Sequence, residues 1–291
     1  MTRFVLARKT LRDVRIATFA VSAAVFPMAL FVTAAYPQYQ QQLQGFQVPG
    51  YMRGFLGDTG DLTSPAGFFH AEFFSWVPLL LITVAIIGAT GTLAGEEGAG
   101  TLEPLLALPV TRARLLLEKC AGLTLALLLT ALAMLPGFFV GLLFVDLDLS
   151  VGRMVLAALN MVPLAFLFLT LSLWAAAALP SRGAAAAVSI GAVVVSYFLN
   201  MLGATITALE TPRKLSPFYW SDASRILVHG FQDWARLGGM LGCAGLFLGL
   251  ALWAFERRDI AGGAQEWRLI PRWLRRPCRQ RATRQRPQPA P

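Results

Sequence analysis

Six stretches of this chain run for about the thickness of a bilayer with no Asp, Glu, Lys or Arg, and they restrict the fold more than any other feature. They are Ile16–Tyr36, Phe73–Gly95, Cys120–Val145, Met154–Ser181, Gly183–Leu209 and Leu237–Phe255. A spanning helix needs about 20 apolar residues. In lipid, every backbone N–H and C=O must be satisfied inside the element, so apolar runs of this length are helices. Spanning strands would alternate in polarity over about 10 residues, and no such alternation occurs. The sequence therefore predicts an all-α integral membrane protein. Its six transmembrane helices are expected at about 16–36, 73–95, 120–145, 154–180, 184–209 and 237–255. The first run is expected to be a span, not a cleaved leader, because Tyr36-Pro37-Gln38 is a poor small-residue cleavage site.

Composition agrees, with 56% hydrophobic and 14% charged residues. The net charge of +9 would suit either a nucleic acid or a membrane surface. Its distribution decides between them. If the six runs alternate across a membrane, 19 of the 25 Lys and Arg lie on one side. The other side holds Arg53, Arg153, Arg213, Lys214, Arg225 and Arg236. Basic residues accumulate on the cytoplasmic side. Both termini are thus expected in the cytoplasm, in a multi-pass protein of the plasma membrane, and no nucleic-acid partner is expected.

Residues 1–255 form the expected six-span domain and 256–291 a basic cytoplasmic tail. The tail's Trp267, Leu269, Ile270, Trp273 and Leu274 are interleaved with Arg, which suits an anionic inner leaflet. Beyond Pro277 it is Arg, Gln and Pro, a composition that does not build a core. Near the N-terminus, Phe4, Ala7, Leu11 and Val14 recur at helical spacing among Arg3, Arg8, Lys9 and Arg12. That pattern predicts an amphipathic helix at the cytoplasmic interface. None of Cys120, Cys243 and Cys278 falls in an outer loop, so no disulfide is expected, and no metal-ligand spacing occurs. His70 beside Glu72, in the expected outer loop 37–72, falls short of a ligand set.

The segment after the second span is the one with specific chemistry. Gly98 and Gly100 interrupt the helix, and Thr101 is a good N-cap. Glu103 favours the first turn and Pro104 is tolerated there. Leu102, Leu105 and Leu106 then share a face, which Pro109 ends. Thr111 can cap the helix leading into the third span. The result is a short amphipathic helix with a Leu face and an acidic flank.

The string E-E-x-x-G-T-L-E-x-L-L-A-x-P-V-T-R-x-R-L-L-L-x-K, from Glu96 to Lys119, resembles a loop of ABC transporter permeases of the type-2 exporter (ABC-2) family. In that family the loop carries the coupling helix that docks on the nucleotide-binding subunit. The resemblance extends to the N-terminal helix around Leu6–Asp13 and the six-span, N-in plan. It also covers Leu215-Ser216-Pro217-Phe218, where the family places short helices before the last span. Thr10, where relatives carry Glu, and Pro104 depart from the pattern. The resemblance implies that Glu96, Glu97, Gly100, Thr101, Leu102, Glu103, Leu105, Leu106, Pro109 and Arg112 couple the chain to an ATPase. It further implies two ATPase subunits, which bind the ATP and Mg, and a second permease protomer.

The chain has no engine of its own. A phosphate-cradling loop ends in G-K-[ST]. The lysines are Lys9, Lys119 and Lys214, and none follows the required glycines. It is therefore not expected to be an enzyme, and no cofactor is expected in it. No charge lies inside a span, so no proton relay is visible.

Within the spans, Asn160, Tyr197, Asn200 and Thr205 are candidate pathway residues. Pro27, Pro78, Pro136 and Pro163 occur inside spans one to four, where a proline either kinks a helix or is simply tolerated. Gly238, Gly242, Gly245 and Gly249 make a small-residue face suited to a neighbouring helix, and the run Gly183–Ala187 suggests another. The expected activity is export of a hydrophobic or amphipathic substrate (drug, antibiotic or lipid-like). The alternative is a non-transporting ABC membrane module that passes ATPase motion to an extracytoplasmic partner, as in metalloenzyme maturation.

Overall fold

The computed structural model describes residues 5–43, 64–96, 111–145, 147 and 149–257. These belong to one packed unit, Met1–Asp259. The tail from Ile260 and the loop helix expected at 101–109 lie outside the described residues. Among the described residues there are helices and no strands, and six helical segments are long and apolar enough to span.

Helix α1 (Val5–Asp13) precedes α2 (Arg15–Leu43), the first span. The second span is α3 (Pro65–Phe69), a π-turn at His70–Phe74, α4 (Val77–Thr90) and a second π-turn at Gly91–Gly95. The third is α5 (Arg112–Leu132) followed by α6 (Leu135–Leu142). The fourth and fifth are α7 (Val151–Ala178) and α8 (Arg182–Gly203). Three short helices follow, α9 (Glu210–Arg213), α10 (Pro217–Trp220) and α11 (Ala223–His229). The last span is α12 (Trp234–Arg257).

The expected boundaries shift in a consistent way. Helices extend into charged residues at Arg15, Arg112, Arg182 and Arg257, because long basic side chains reach water from a helix end. The expected outer loop 37–72 is shorter than its charge pattern suggests. Residues 37–43 continue α2, and Ser64 caps α3 by accepting from the Gly67 amide at 3.1 Å. The fifth span is also shorter than expected. It stops at Gly203, so Thr205 lies in an exposed turn outside the helix.

The prolines sort by what they break. Pro78 and Pro136 cannot donate to the preceding turn. The second and third spans break just before them, at Ser75–Trp76 and Ala133–Met134. Pro27 and Pro163 stay inside continuous helices.

Helix α7 is the centre, packed against α4, α5, α8 and α12. In the second and fourth spans 72% of the most apolar window is buried, against 17% in the fifth and sixth. The glycines show where helices meet. A Cβ on Gly137 would lie 2.3 Å from the Phe26 carbonyl oxygen, and one on Gly141 would lie 2.5 Å from Thr33 Cβ. These two, four residues apart, let α6 approach the α2 backbone. By contrast, a Cβ on Gly238, Gly242, Gly245 or Gly249 would meet nothing within 4 Å, and neither would one on Gly183. The Gly238–Gly249 face of α12 thus has no neighbour at these positions within the described chain, whereas Ala185, in the run that Gly183 opens, is buried. An aromatic cluster closes the end of the bundle away from α1. Phe73 meets Phe138 at 4.9 Å and Tyr36 meets Phe68 at 5.4 Å, joining α2, the second span and α6.

Candidate functional site: the loop root and the opposite end

The loop between the second and third spans is held at both of its described ends. At its start, Glu96 turns back into the bundle. Its Oε2 is 2.5 Å from the Nζ of Lys119 on α5, and its Oε1 is 3.2 Å from the Nζ of Lys9 on α1. The Lys119 ammonium also donates to the Thr92 carbonyl in the π-turn. Lys119 is only 2% exposed. A buried ammonium is costly without an ionic partner and further acceptors, and this geometry supplies both. At the loop's far end, Thr111 caps α5 by accepting from the Arg114 amide at 3.3 Å. Arg112 donates to the Phe255 and Glu256 carbonyls, each at 3.3 Å, near the end of α12. Cations are favoured at such helix C-termini.

Helix α1 is fastened to the same place. The Leu6 amide donates to Glu118 Oε2 at 3.2 Å, and Arg114 pairs with Glu118 Oε1 at 2.9 Å. A Cβ on Gly122 would stand 2.6 Å from the Ala7 carbonyl oxygen, so α1 lies directly on the backbone of α5. Thr10 is buried and donates to the Leu6 carbonyl at 3.0 Å. It closes a hydrogen bond locally, where a longer acid would have to find a partner elsewhere.

Of the expected coupling residues, Glu96 and Arg112 are therefore described, and both reach into the bundle. Glu97, Gly100, Thr101, Leu102, Glu103, Leu105, Leu106 and Pro109 lie outside the described residues.

The opposite end carries a second polar assembly. Three guanidinium groups surround the ring of Tyr219: Arg236 at 4.8 Å, Arg213 at 5.1 Å and Arg225 at 5.8 Å from its centroid. Each is within cation–π range. Their mutual repulsion is offset locally. Arg225 lies 3.9 Å from Asp222 and 3.8 Å from Asp233, Arg236 lies 3.6 Å from Asp233, and Arg213 donates to Asn200 Oδ1 at 3.0 Å. Asp222 also caps α11 through the Ser224 amide at 2.9 Å and stands 3.7 Å from His70. Arg153 donates to the Val228 carbonyl at 2.7 Å, near the end of α11. Gly230, at φ +78°, then turns the chain out of the helix as other residues rarely do.

The candidate pathway residues divide here. Tyr197 and Asn200 share a face of α8 and line one small cavity of about 40 Å³ with His70 and Arg213. Asn160 donates to Ser221 Oγ at 3.3 Å and lines a larger cavity of about 650 Å³ with Trp220, Arg225 and Phe231. Asp222 borders both cavities, whereas Thr205 borders neither.

In the sequence, Arg153, Arg213, Arg225 and Arg236 stand out only as markers of sidedness, and Lys119 only as the end of the loop string. Signals for two of these contacts were present in Asp222-x-x-Arg225 and Asp233-x-x-Arg236, each an i, i+3 pair.

The family described as ABC-2 family transporter protein matches residues 5–260. A search of curated proteins finds no match. The match runs from α1 through the sixth span and takes in the loop root and the polar assembly at the opposite end. The chain belongs to the ABC-2 transporter family, as a multi-pass permease component that is not itself an ATPase.

Proposed function

We propose that the chain is the permease subunit of an ATP-driven exporter, working with two copies of a separate ABC ATPase and a second permease protomer. The observation that carries this reading is the double anchoring of the loop root. Glu96 ties the loop's start to α1 and α5, and Arg112 ties its end to α12. Force applied to the loop would be passed to α1 and to the third and sixth spans through side chains already in place. That is how rigid elements transmit a domain motion. Nothing in the bundle would need to sense nucleotide itself, because ATP and Mg belong to the ATPase.

In this reading the loop end is cytoplasmic, in the plasma membrane, and the segment 101–109 is what meets the ATPase. The weakly covered fifth and sixth spans present faces for lipid and for the second protomer. The spans are apolar, with charges only towards their ends, which suits a hydrophobic or amphipathic cargo. The outer assembly around Tyr219, with its cavity of about 650 Å³, would close the outward side.

The test is transport by the reconstituted permease–ATPase complex in vesicles. Glu103→Lys with Leu105→Asp should abolish nucleotide-driven uptake of a fluorescent amphiphile while the permease keeps its melting temperature. Unchanged uptake would refute the coupling assignment. Stimulation of the ATPase by an extracytoplasmic partner, with no uptake, in the unsubstituted complex would favour the motion-transmitting alternative.

A further inference from the structure

At the loop end, a groove of about 550 Å³ runs between the α1–α2 junction and the end of the second span. Its walls are apolar, with Ile16, Ala17 and Ala20 on one side and Ile87 on the other. Ile16 is 75% exposed there. Glu96, which also borders the groove, is committed to Lys9 and Lys119. Two charges on the rim are uncommitted. Among the described residues Asp13 makes no ion pair or hydrogen bond through its carboxylate, and Arg182 makes none through its guanidinium. The Arg182 side chain lies over the two glycines of the π-turn. Its Nη2 is 3.6 Å from where a Gly91 Cβ would be, and its Cδ is 3.7 Å from that of Gly95. A Cβ at either position would be in ordinary van der Waals contact with the Arg182 side chain.

One apolar channel therefore carries a spare anion and a spare cation at its mouth. We propose that this groove binds a phospholipid whose headgroup bears both a phosphate and a primary ammonium, of the ethanolamine class. Arg182 takes the phosphate, for which a guanidinium is well shaped. Asp13 takes the ammonium, whose N–H donors a quaternary head lacks. An acyl chain lies along Ile16, Ala20 and Ile87. A purely anionic headgroup would leave Asp13 facing a like charge. Only the leaflet named, the cytoplasmic one, rests on the orientation proposed above.

The test is native mass spectrometry of the full chain from micelles holding phosphatidylethanolamine, phosphatidylglycerol or phosphatidylcholine, singly and in pairs. The wild type should keep one phosphatidylethanolamine about fivefold more tightly than the other two, the effect of roughly one well-placed charge. Asp13→Asn should erase the preference over phosphatidylglycerol. Arg182→Gln should lose the tight first site for all three lipids. Ala17→Trp, which fills the groove, should displace the lipid, and Arg12→Gln, a basic residue that does not line it, should leave binding intact. Asp13 and Arg182 are both exposed, so unchanged melting temperatures would accompany these effects.

Absence of the preference in the wild type, or its survival in Asp13→Asn and Arg182→Gln, would overturn the proposal. So would equal binding of soluble phosphoethanolamine, or a site seen in monomers and covered in dimers. None of these readouts involves an ATPase, so their failure leaves the permease reading standing. A reporter fused to the C-terminus reads sidedness separately, and an external signal would overturn the leaflet alone.

Discussion

Glu96 stands in a run of residues that reads, in sequence, as an acidic flank for a partner. Its side chain instead serves Lys119, 23 positions away, because a nearly dry ammonium needs an anion. That pairing was not legible, since nothing local links the two positions. The i, i+4 pair Arg114–Glu118 was. Breaking one side of a buried pair costs about 3–5 kcal/mol, whereas replacing both partners is nearly neutral. Glu96→Gln should therefore lower the melting temperature of the purified chain by several degrees. Lys119→Met should cost less, because Glu96 keeps Lys9. The double substitution should recover most of the loss, as read by thermal unfolding in micelles. Among the contacts of the described residues, Arg112→Gln removes two hydrogen bonds to backbone carbonyls at a partly exposed site, a change of about 1 kcal/mol. It should leave melting almost unmoved and still reduce transport driven by ATP in reconstituted vesicles.

At the scale of elements, the six spans were legible because lipid leaves an apolar run no other backbone option. Their ends were not. Arg15, Arg112 and Arg182 open helices that the charge-free windows exclude, and neither π-turn has a sequence mark. Glycine spacing showed the same limit. The longest glycine face, Gly238 to Gly249, meets nothing in the described chain, while the shorter Gly137–Gly141 face seats α6 on α2. Spacing reports that a helix can be approached closely, not which helix approaches. Gly137→Val should clash with the Phe26 carbonyl and destabilise the chain by about 1–3 kcal/mol or more. Gly242→Val should leave the melting temperature of the monomer unchanged. Equal losses at the two positions, measured side by side, would contradict the packing described.

At the scale of the molecule, the described residues form a bundle centred on α7, with a polar fastening at each end. At the loop end, Glu96, Lys119, Lys9 and Arg112 join α1, α5 and α12 around the segment that carries the family resemblance. At the other end, Tyr219 and its three arginines tie α9, α11 and α12 together. The charge count in the sequence recorded the basic residues of both assemblies only as a sidedness ratio, because a count discards geometry.

In the proposed function an ATPase subunit acts on this bundle through the loop between the second and third spans. Affinity co-purification of the full chain with its ATPase tests it most directly. The unsubstituted permease should retain the ATPase in near-equal amount. Glu103→Lys with Leu105→Asp should lose at least about tenfold of it, a difference of roughly 1.4 kcal/mol, at an unchanged melting temperature. Full retention of the ATPase by the double variant would contradict the account.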